Sequence, residues 1–337
     1  MSRLGSFRPG KLTVAVLMTA VLGCVGGPSE PVTVGRTPGS YALRDISDEI
    51  SGAPYRLNDQ GDLLTWWQKF WSGSAAAAPP AACGAVAINN KSHVLCFLGS
   101  TPDGRSLTSA YAIWDGESMT PLTGLDTFPS NQFTAWALND SDAVAMTFSG
   151  PGFTNPDCLR GSCGAIWRNG QLTFLQTTAY QTLQMNNRLD LIGKQLDWYS
   201  VSLWFYDAAT GKTRRIGDSI TEARDMNDQG WVVGTLYGNR WERRKVAFLD
   251  RPEGLTMLGT GEANGVNDAG NVVGVLDSVA VVWKNGTPTP LTFAASDTNW
   301  TVTRPVEINN RGQIVAQADD STHGKFNRWV ILTPISP

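Results

Sequence analysis

The most constraining feature of this sequence is a short turn that recurs along most of the chain. Its clearest copies read ARDMNDQGWVVG (223–234), ANGVNDAGNVVG (263–274) and PVEINNRGQIVA (305–316). The Asn that opens each copy is found at Asn58, Asn89, Asn139, Asn186, Asn227, Asn267 and Asn309. Most steps between copies fall between 40 and 50 residues. Together with flanking strand signals, this period favours propeller blades over helical repeats.

The residue types of the turn explain why it recurs. Asn at the first position of a type I turn can accept a hydrogen bond from a backbone N–H further along. A Gly three residues later supplies the positive φ of a three-residue hairpin loop with a G1 bulge. That Gly is present as Gly61, Gly230, Gly270 and Gly312. Ser92, Ser141 and Arg188 depart from the pattern, so we expect distorted or longer turns in those copies.

A second hairpin follows each turn. Segments such as GAIWRNGQLTFL (164–175) and VAVVWKNGTPTPL (279–291) read as strand, tight turn with Gly, strand. One repeat therefore contains four strands, which is the content of a propeller blade. We predict an all-β fold, a β-propeller built from about seven four-stranded repeats. Six blades are the second interpretation and an open β-solenoid the third.

The two ends of the repeat region are irregular. The first copy, YRLNDQGDLLTWWQKFW (55–71), runs into SGSAAAAPPAACG (72–84), a poor strand sequence, so that blade should be short. The last copy stops after NRWVILT (327–333) with three evident strands. The segment YALRDI (41–46) could supply the missing strand and close the ring. We therefore expect residues 41–337 to form a single propeller domain.

The pairing of N-D-x-G-x-V-V-G with a following apolar strand and Gly turn resembles the HAF-repeat family of bacterial exported proteins. The resemblance covers roughly residues 53–332 and is clearest around Asn227 and Asn267. The family's usual His-Ala-Phe is replaced here at Tyr111, Gly164 and Val246, so no role is assigned to its histidine. The resemblance implies a β-propeller-like fold and no established chemistry.

The N-terminus carries an export signal. MSRLGSFRPGK (1–11) is basic, and the apolar run LTVAVLMTAVLG (12–23) is too short to span a bilayer. It ends in VLGC, which resembles the lipobox of bacterial lipoproteins, where the peptide is cut before a cysteine that carries the lipid. We predict a signal peptide at 1–23, lipidation of Cys24 and a flexible tether at 24–40. The alternative is a plain signal peptide with an incidental cysteine.

Cleavage there leaves four cysteines in an exported chain, where disulfides are expected. Cys158 and Cys163 are separated by a short loop with Gly and could pair readily. Cys83 and Cys96 flank a repeated turn but lie three positions out of register on ideal strands. Their pairing requires Cys83 to lie in the loop after Pro79 and Pro80.

Several site classes find no support in the sequence. A net charge of −3 gives no electrostatic case for nucleic acid. Two histidines and no CxxC spacing leave little for a metal site, and a calcium loop needs more oxygen ligands than one Asn turn offers. We predict no metal, no cofactor and no catalytic residue. The oligomeric state is left open.

Aromatic residues in the irregular connections are the candidate binding residues. The sequence has 13 Trp, and those at equivalent strand positions are interpreted as packing between blades. Trp198, Tyr199, Tyr237 and Trp241 occur instead where variable loops are expected. The Asn turns and the Gly turns should lie on one face of the ring, and these longer connections on the other.

Three functions remain open. The first is a lipoprotein of the bacterial cell envelope, at the outer membrane or cell surface, whose propeller binds or scaffolds a protein or glycan. The second is a glycan-active enzyme with carboxylates at the propeller centre, which clustered carboxylates of raised pKa would favour. The third is a structural subunit of an envelope assembly.

Overall fold

The computed structural model describes residues 41–335 apart from 67–68, 74–77, 100–109, 130–131, 151–152, 154, 157, 159–161, 176–180, 197–200, 218–220, 238–244 and 294–298. Every regular element among the described residues is a β-strand. Residues 37–337 form one compact unit. The prediction of an all-β fold is confirmed.

The described strands form successive antiparallel meanders. The first sheet has three strands, β2 (Pro54–Leu57), β3 (Leu63–Thr65) and β4 (Lys69–Trp71). A four-stranded sheet follows with β5 (Gly84–Ile88), β6 (Val94–Phe97), β7 (Tyr111–Trp114) and β8 (Met119–Pro121). The next has β9 (Phe133–Leu138), β10 (Val144–Ser149), β11 (Ser162–Arg168) and β12 (Gln171–Phe174). Then come β13 (Gln181–Met185), β14 (Leu191–Leu196), β15 (Val201–Asp207) and β16 (Lys212–Ile216). The short first sheet agrees with the expectation from the sequence.

One sheet has seven strands because two meanders share a long strand. Its strands are β17 (Thr221–Met226), β18 (Val232–Tyr237), β19 (Lys245–Arg251), β20 (Gly254–Val266), β21 (Val272–Leu276), β22 (Val279–Lys284) and β23 (Thr287–Pro290). The first part of β20 pairs with β19, and the part from Gly261 onward pairs with β21. Gly261 has a positive φ of 150°, and a Cβ there would collide with the Val275 carbonyl oxygen. Glycine therefore permits the change of partner within one continuous strand.

The N-terminal strand completes the last sheet. This sheet contains β24 (Trp300–Ile308), β25 (Ile314–Asp320) and β26 (Lys325–Pro334), with β1 (Tyr41–Asp45) as its outer strand. β1 pairs antiparallel with β26, in a register from Tyr41–Pro334 to Asp45–Val330. The two ends of the described chain are thus joined in one sheet, as predicted, and the fold is a closed β-propeller rather than an open solenoid.

All seven Asn turns share one geometry. In the turn at Asn227, Gly230 N–H donates to the Asn227 carbonyl at 3.0 Å and Asn227 N–H donates to the Trp231 carbonyl at 3.1 Å. Gly61, Gly230, Gly270 and Gly312 have φ between 75° and 86°, which confirms the predicted G1 bulge. The expectation of distorted turns in the other copies was wrong. Ser92, Asp142 and Leu189 adopt φ of 60–69° and make the same backbone bonds, so these are ordinary copies, in which Asp142 and Leu189 rather than Ser141 and Arg188 take the Gly position.

The core is divided among the interfaces between neighbouring sheets. In one of these interfaces, Ile192, Leu203 and Phe205 of the β13–β16 sheet pack against Val232 and Phe248 of the following sheet. Phe248 is fully buried, and burial of a side chain of this size contributes about 1.5–3 kcal/mol.

Both predicted disulfides are present. Cys158 pairs with Cys163, and Cys83 pairs with Cys96 with their Cα atoms 4.8 Å apart. Cys83 lies in a turn after Pro80, to whose carbonyl its N–H donates at 2.9 Å. This turn, and a register shift between Ala85 and Ala87, remove the register problem that ideal strands posed.

Candidate functional site

The seven Asn side chains form a closed ring of hydrogen bonds. Each Nδ2 donates to the main-chain carbonyl of the next Asn at 2.9–3.3 Å, and Asn309 returns to Asn58. Each Oδ1 also accepts from its own turn, from two N–H groups in six of the seven copies, as Asn227 does from Gln229 and Trp231, and from the Asn271 N–H in the turn at Asn267. The ring residues are 3–4% exposed. One side chain therefore shapes its own turn and joins it to the next.

A second ring lies on the residues that follow these Asn. Each main-chain N–H donates to the Oδ1 of the equivalent residue in the next turn at 2.7–2.9 Å. The members are Asp59, Asn90, Asp140, Asn187, Asp228, Asp268 and Asn310. The two rings surround a cavity of about 150 Å³. Hydrogen bonds within and between the turns thus satisfy most of the polar groups that the two rings place on this face.

Asp228 and Asp268 are the one adjacent carboxylate pair in the second ring, since Asn residues alternate with Asp elsewhere. Burial raises the pKa of Asp268, and the negative charges of Asp228 and Asp59 add to the shift. Within the described residues, no group of three or more His, Cys, Asp or Glu side chains could hold a metal ion.

A buried ion cluster closes the channel beneath the rings. Two positions before its Asn, each inner strand places a residue in the same layer, and three of these residues are Arg56, Asp225 and Glu307. Arg56 Nη1 lies 3.2 Å from Glu307 Oε2 and 3.9 Å from Asp225 Oδ1. Asp225 Oδ2 also accepts from the Val266 N–H at 2.8 Å.

Burial is the largest influence on the pKa values of the two carboxyl groups in this cluster. Burial raises the pKa of Glu307 well above its ordinary value, and the nearby Asp225 charge raises it further. The pKa of Asp225 is raised by burial, while Arg56 opposes the shift. These effects favour the protonated form of Glu307, which is hydrogen-bonded to Asp225. Glycoside hydrolysis needs two carboxyl groups about 5–9 Å apart, so two groups in direct contact that also share an arginine do not fit that chemistry.

Every inner strand carries a β-bulge three residues before its ring Asn. The pairing registers skip Tyr55, Val86, Trp136, Leu183, Arg224, Asn264 and Val306. A bulge leaves one residue without a partner in the ladder and changes the direction of its side chain. Five of these residues, Tyr55, Leu183, Arg224, Asn264 and Val306, line one cleft of about 400 Å³. We call it the central cleft.

The central cleft opens away from the Asn turns. β3 leads from the turn at Asn58 to Trp66, and β17 begins near Glu222 and ends at the turn at Asn227. Trp66 and Glu222 both line the cleft, so it opens on the face of the long connections. The ion cluster forms its floor, because Arg56 and Glu307 line both this cleft and the cavity beneath the rings.

The cleft combines aromatic, charged and unpaired polar groups. Trp66 is 69% exposed, and its ring lies 5.1 Å from that of Tyr55 between centroids. Asn264 is 5% exposed and donates from Nδ2 to the Pro305 carbonyl at 2.7 Å. Its Oδ1, like Nε of Arg224, has no hydrogen-bond partner among the described residues. Such buried polar atoms are costly unless a ligand or water satisfies them.

A second, more open groove adjoins the cleft. It has a volume of about 800 Å³, and Arg224 and Arg304 line both spaces. Lys245 and Glu262 form an ion pair in the groove, and Arg304 lies 3.9 Å from Glu262. Burial raises the pKa of Glu262, but the hydrogen bond and charge of Lys245 outweigh this and the net pKa is lowered.

Of the candidate binding residues predicted from the sequence, Tyr237 is the one that the structure describes. It ends β18 next to 238–244, and its hydroxyl donates to Glu222 Oε2 at 2.6 Å. Burial and this carboxylate raise the pKa of Tyr237. Tyr237 is thus linked to a residue that lines the central cleft. Trp198, Tyr199 and Trp241 lie outside the described residues.

The central residues of the cleft are not among the candidate residues predicted from the sequence. These residues are Arg56, Arg224, Asn264 and Glu307, and they lie on inner strands rather than in the long connections. Their signal was positional, because the second and third positions before a ring Asn carry Arg, Asn, Asp or Glu in some copies and Ala, Val or Gly in others. Polar residues at otherwise apolar inner-strand positions mark the side chains that face the channel.

No protein-family model matches the chain, and no curated protein is significantly similar to it in sequence. Solved structures resemble it in fold at 7–13% identity. TolB from Acinetobacter baumannii is 13% identical, with a TM-score of 0.36 over 67% of this chain and 60% of TolB. The β-propeller domain of the Trilobed protease from Pyrococcus furiosus is 8% identical, with a TM-score of 0.45 over 74% of this chain and 82% of that domain. Dipeptidyl peptidase 4 from Porphyromonas gingivalis is 12% identical, with a TM-score of 0.40 over 85% and 51%. These values bear on no activity, ligand or partner.

Proposed function

We propose that this chain is an exported, lipid-anchored binding protein of the bacterial cell envelope whose ligand occupies the central cleft. The observation that carries the proposal is the contrast between the two faces. The turn face joins its polar groups in two hydrogen-bonded rings, whereas the cleft presents Trp66 and unpaired atoms of Asn264 and Arg224. Concave sites with a few convergent polar groups are typical of ligand binding.

The propeller of this proposal has seven blades. Seven Asn residues close one ring of hydrogen bonds, and seven inner strands carry the same bulge. The seven-stranded sheet then counts as two blades that share β20, and the three-stranded sheet counts as a short first blade.

Lipid attachment at Cys24 is supported by the VLGC sequence and by the apolar run before it. No helix among the described residues is long and apolar enough to cross a membrane. Two disulfides agree with an oxidising compartment. The resemblance to HAF-repeat proteins, which are exported, supports the same location.

The glycan-active enzyme is the weaker proposal. The centre of the ring does hold carboxyl groups of raised pKa, which was the condition for favouring an enzyme. Their direct hydrogen bond and their shared arginine leave no room between them for a sugar or a water.

Cleft-dependent capture tests the binding proposal. Full-length protein in detergent would be applied to a glycan array and to detergent-solubilised envelope. The variant Trp66→Ala/Arg304→Gln alters the cleft, and Phe326→Ala/Arg311→Gln is its matched control, with an exposed aromatic and an exposed Arg elsewhere. We expect the cleft variant to lose capture that the control retains. Equal capture by both variants, or no capture by the wild type, would refute a ligand site in the cleft.

A further inference from the structure

We infer that the central cleft recognises an acidic saccharide, a sugar ring that carries a carboxylate. This inference rests on the proposed function and names the class of its ligand. Three properties of the cleft determine that class: its charge, an unpaired acceptor and an aromatic surface.

The cleft presents guanidinium groups although the net charge of the chain is −3. Arg56, Arg224 and Arg304 line it, with Glu222 and Glu307 as the acidic residues. Arg56 is paired with Glu307 and Asp225, and Arg224 Nη2 lies 3.0 Å from the Glu222 carboxylate, so these charges are balanced within the cleft. Arg304 is half exposed, and its contact with Glu262 is long, at 3.9 Å. Its guanidinium and the Arg224 Nε are therefore available donors, and the planar guanidinium suits a carboxylate.

The unpaired acceptor, Asn264 Oδ1, favours a ligand that donates a hydrogen bond. The Pro305 carbonyl fixes the orientation of the Asn264 amide, because only Nδ2 can donate to it. Oδ1 therefore faces away from Pro305 without a partner, in a residue that is 5% exposed and lines the cleft. A sugar hydroxyl supplies the missing donor. A carboxylate alone would not, since it only accepts.

The aromatic surface accounts for the ring of the ligand. The main-chain N–H of Trp66 donates to the Ala53 carbonyl at 2.9 Å, and the Trp66 side chain stays exposed beside Tyr55. The Tyr55 hydroxyl donates to the Val86 carbonyl at 2.9 Å, so this neighbour is fixed as well. An exposed Trp face on a fixed support can pack against the C–H face of a sugar ring. The cleft volume of about 400 Å³ suits one or two such rings.

A free peptide carboxylate is the competing ligand chemistry. It would satisfy the guanidinium groups, but it brings no flat ring for Trp66 together with a hydroxyl for Asn264. The peptide carboxylate would leave Trp66 and Asn264 Oδ1 without a partner, whereas the acidic saccharide would contact both. Binding measurements with the two ligands can therefore distinguish them.

Calorimetry on full-length protein in detergent tests the inference. The probes are a panel of uronic-acid disaccharides of different linkage, each beside the neutral disaccharide in which a CH₂OH replaces the carboxylate. We expect at least one acidic member to bind about tenfold more tightly than its neutral counterpart, with a preference that falls as salt rises. Arg304→Gln should remove most of that preference. Trp66→Ala should weaken the acidic and neutral members alike, whereas Arg311→Gln and Phe326→Ala should change neither.

The outcomes separate this inference from the proposed function. If neutral sugars or carboxylate peptides bind in a Trp66-dependent way and no acidic disaccharide is preferred, the cleft remains the site and the ligand class is wrong. If an acidic disaccharide binds but the cleft variants leave its affinity unchanged, the acidic ligand lies elsewhere and the inference fails. If no acidic disaccharide binds, the inference is also refuted, and the capture experiment decides the cleft independently.

Discussion

In the seven turns, the backbone position at positive φ is occupied by Gly, Ser, Asp or Leu. Each residue other than Gly is stabilised there by different contacts. Ser92 Oγ donates to the Asp62 carboxylate, and Asp142 Oδ1 accepts from Asn89 and lies 2.9 Å from His93 Nδ1. Leu189 packs against a core cluster. A non-Gly residue at positive φ costs about 1–2 kcal/mol, which these contacts offset. Gly is therefore favoured at this position but is not obligatory.

Gly270→Ala should destabilise the protein by more than about 1 kcal/mol. Ala is strained at φ 76°, and its Cβ would come within 2.7 Å of the Trp231 ring. Gly286 has nearly the same φ, 78°, with open space where its Cβ would lie. Gly286→Ala is therefore the matched control, which measures the backbone strain alone. We expect a smaller loss for Gly286→Ala in denaturant melts. Equal stability of Gly270→Ala and wild type would contradict the turn geometry.

Glu307 should make stability depend on pH. Its folded-state pKa is raised above the unfolded value near 4.5, so its contribution is full below that pH and is lost as pH rises through the folded pKa. Each pKa unit corresponds to about 1.4 kcal/mol. Glu307→Gln keeps a donor for Asp225 and cannot ionise. We expect the variant to gain in melting temperature relative to wild type as pH rises from about 4 to 8, and the exposed Glu117→Gln to show no such gain. A difference that does not change with pH would show that Glu307 is ionised throughout.

At the scale of the element, a ring Asn should contribute more to stability than the bonds of its own turn, because it also bonds to the next turn. Asn267 Nδ2 donates to the Asn309 carbonyl at 3.1 Å, and its Oδ1 accepts from the Asn271 N–H at 3.0 Å. Asn267→Ala removes these buried bonds and should cost about 2–4 kcal/mol. Asn310→Ala removes bonds of the exposed second ring and should cost less than about 1 kcal/mol. Denaturant melts of both variants test this expectation. An equal loss of stability would show that the bonds of the buried ring contribute no more than those of the exposed ring.

The sequence predicted the elements better than it predicted the cleft. The Asn turn, the Gly positions, the closing strand 41–46 and the short first blade follow from local chemistry, which a single repeat exposes. The bulge before each turn could not be predicted in this way, because its register depends on pairing with the next strand. Without the bulge, Arg224 and Asn264 read as ordinary strand residues. The partnership of Arg56 with Glu307, 251 residues apart, requires the ring to be closed.

At the scale of the whole molecule, location depends on one residue outside the described part of the chain. If Cys24 carries the lipid, Cys24→Ala should abolish incorporation of a fatty-acid probe and release the protein from the membrane fraction. Several acyl chains, at about 0.8 kcal/mol per buried CH₂, account for stable anchoring. Ser29→Ala, in the same tether, should leave both readouts unchanged. Continued labelling of Cys24→Ala would exclude this cysteine as the anchor.

The two faces of the propeller should respond differently to substitution. Asn occurs at three positions of the second ring, so Asp228→Asn/Asp268→Asn keeps the Oδ1 acceptors of the Asn187 and Asp228 N–H groups while it removes two adjacent negative charges. The raised pKa of Asp268 means that its charge opposes folding once pH exceeds that pKa, so removal of the charge offsets part of the loss of the Asn187 and Asn310 bonds to the Oδ2 atoms. The double variant should therefore melt close to the wild-type temperature at neutral pH. Its ligand capture should equal that of wild type, because the altered residues lie across the ion cluster from the cleft. Trp66→Ala should also melt close to wild type, but its capture should be lost. Loss of capture in the Asp variant with capture retained in Trp66→Ala would move the site to the turn face.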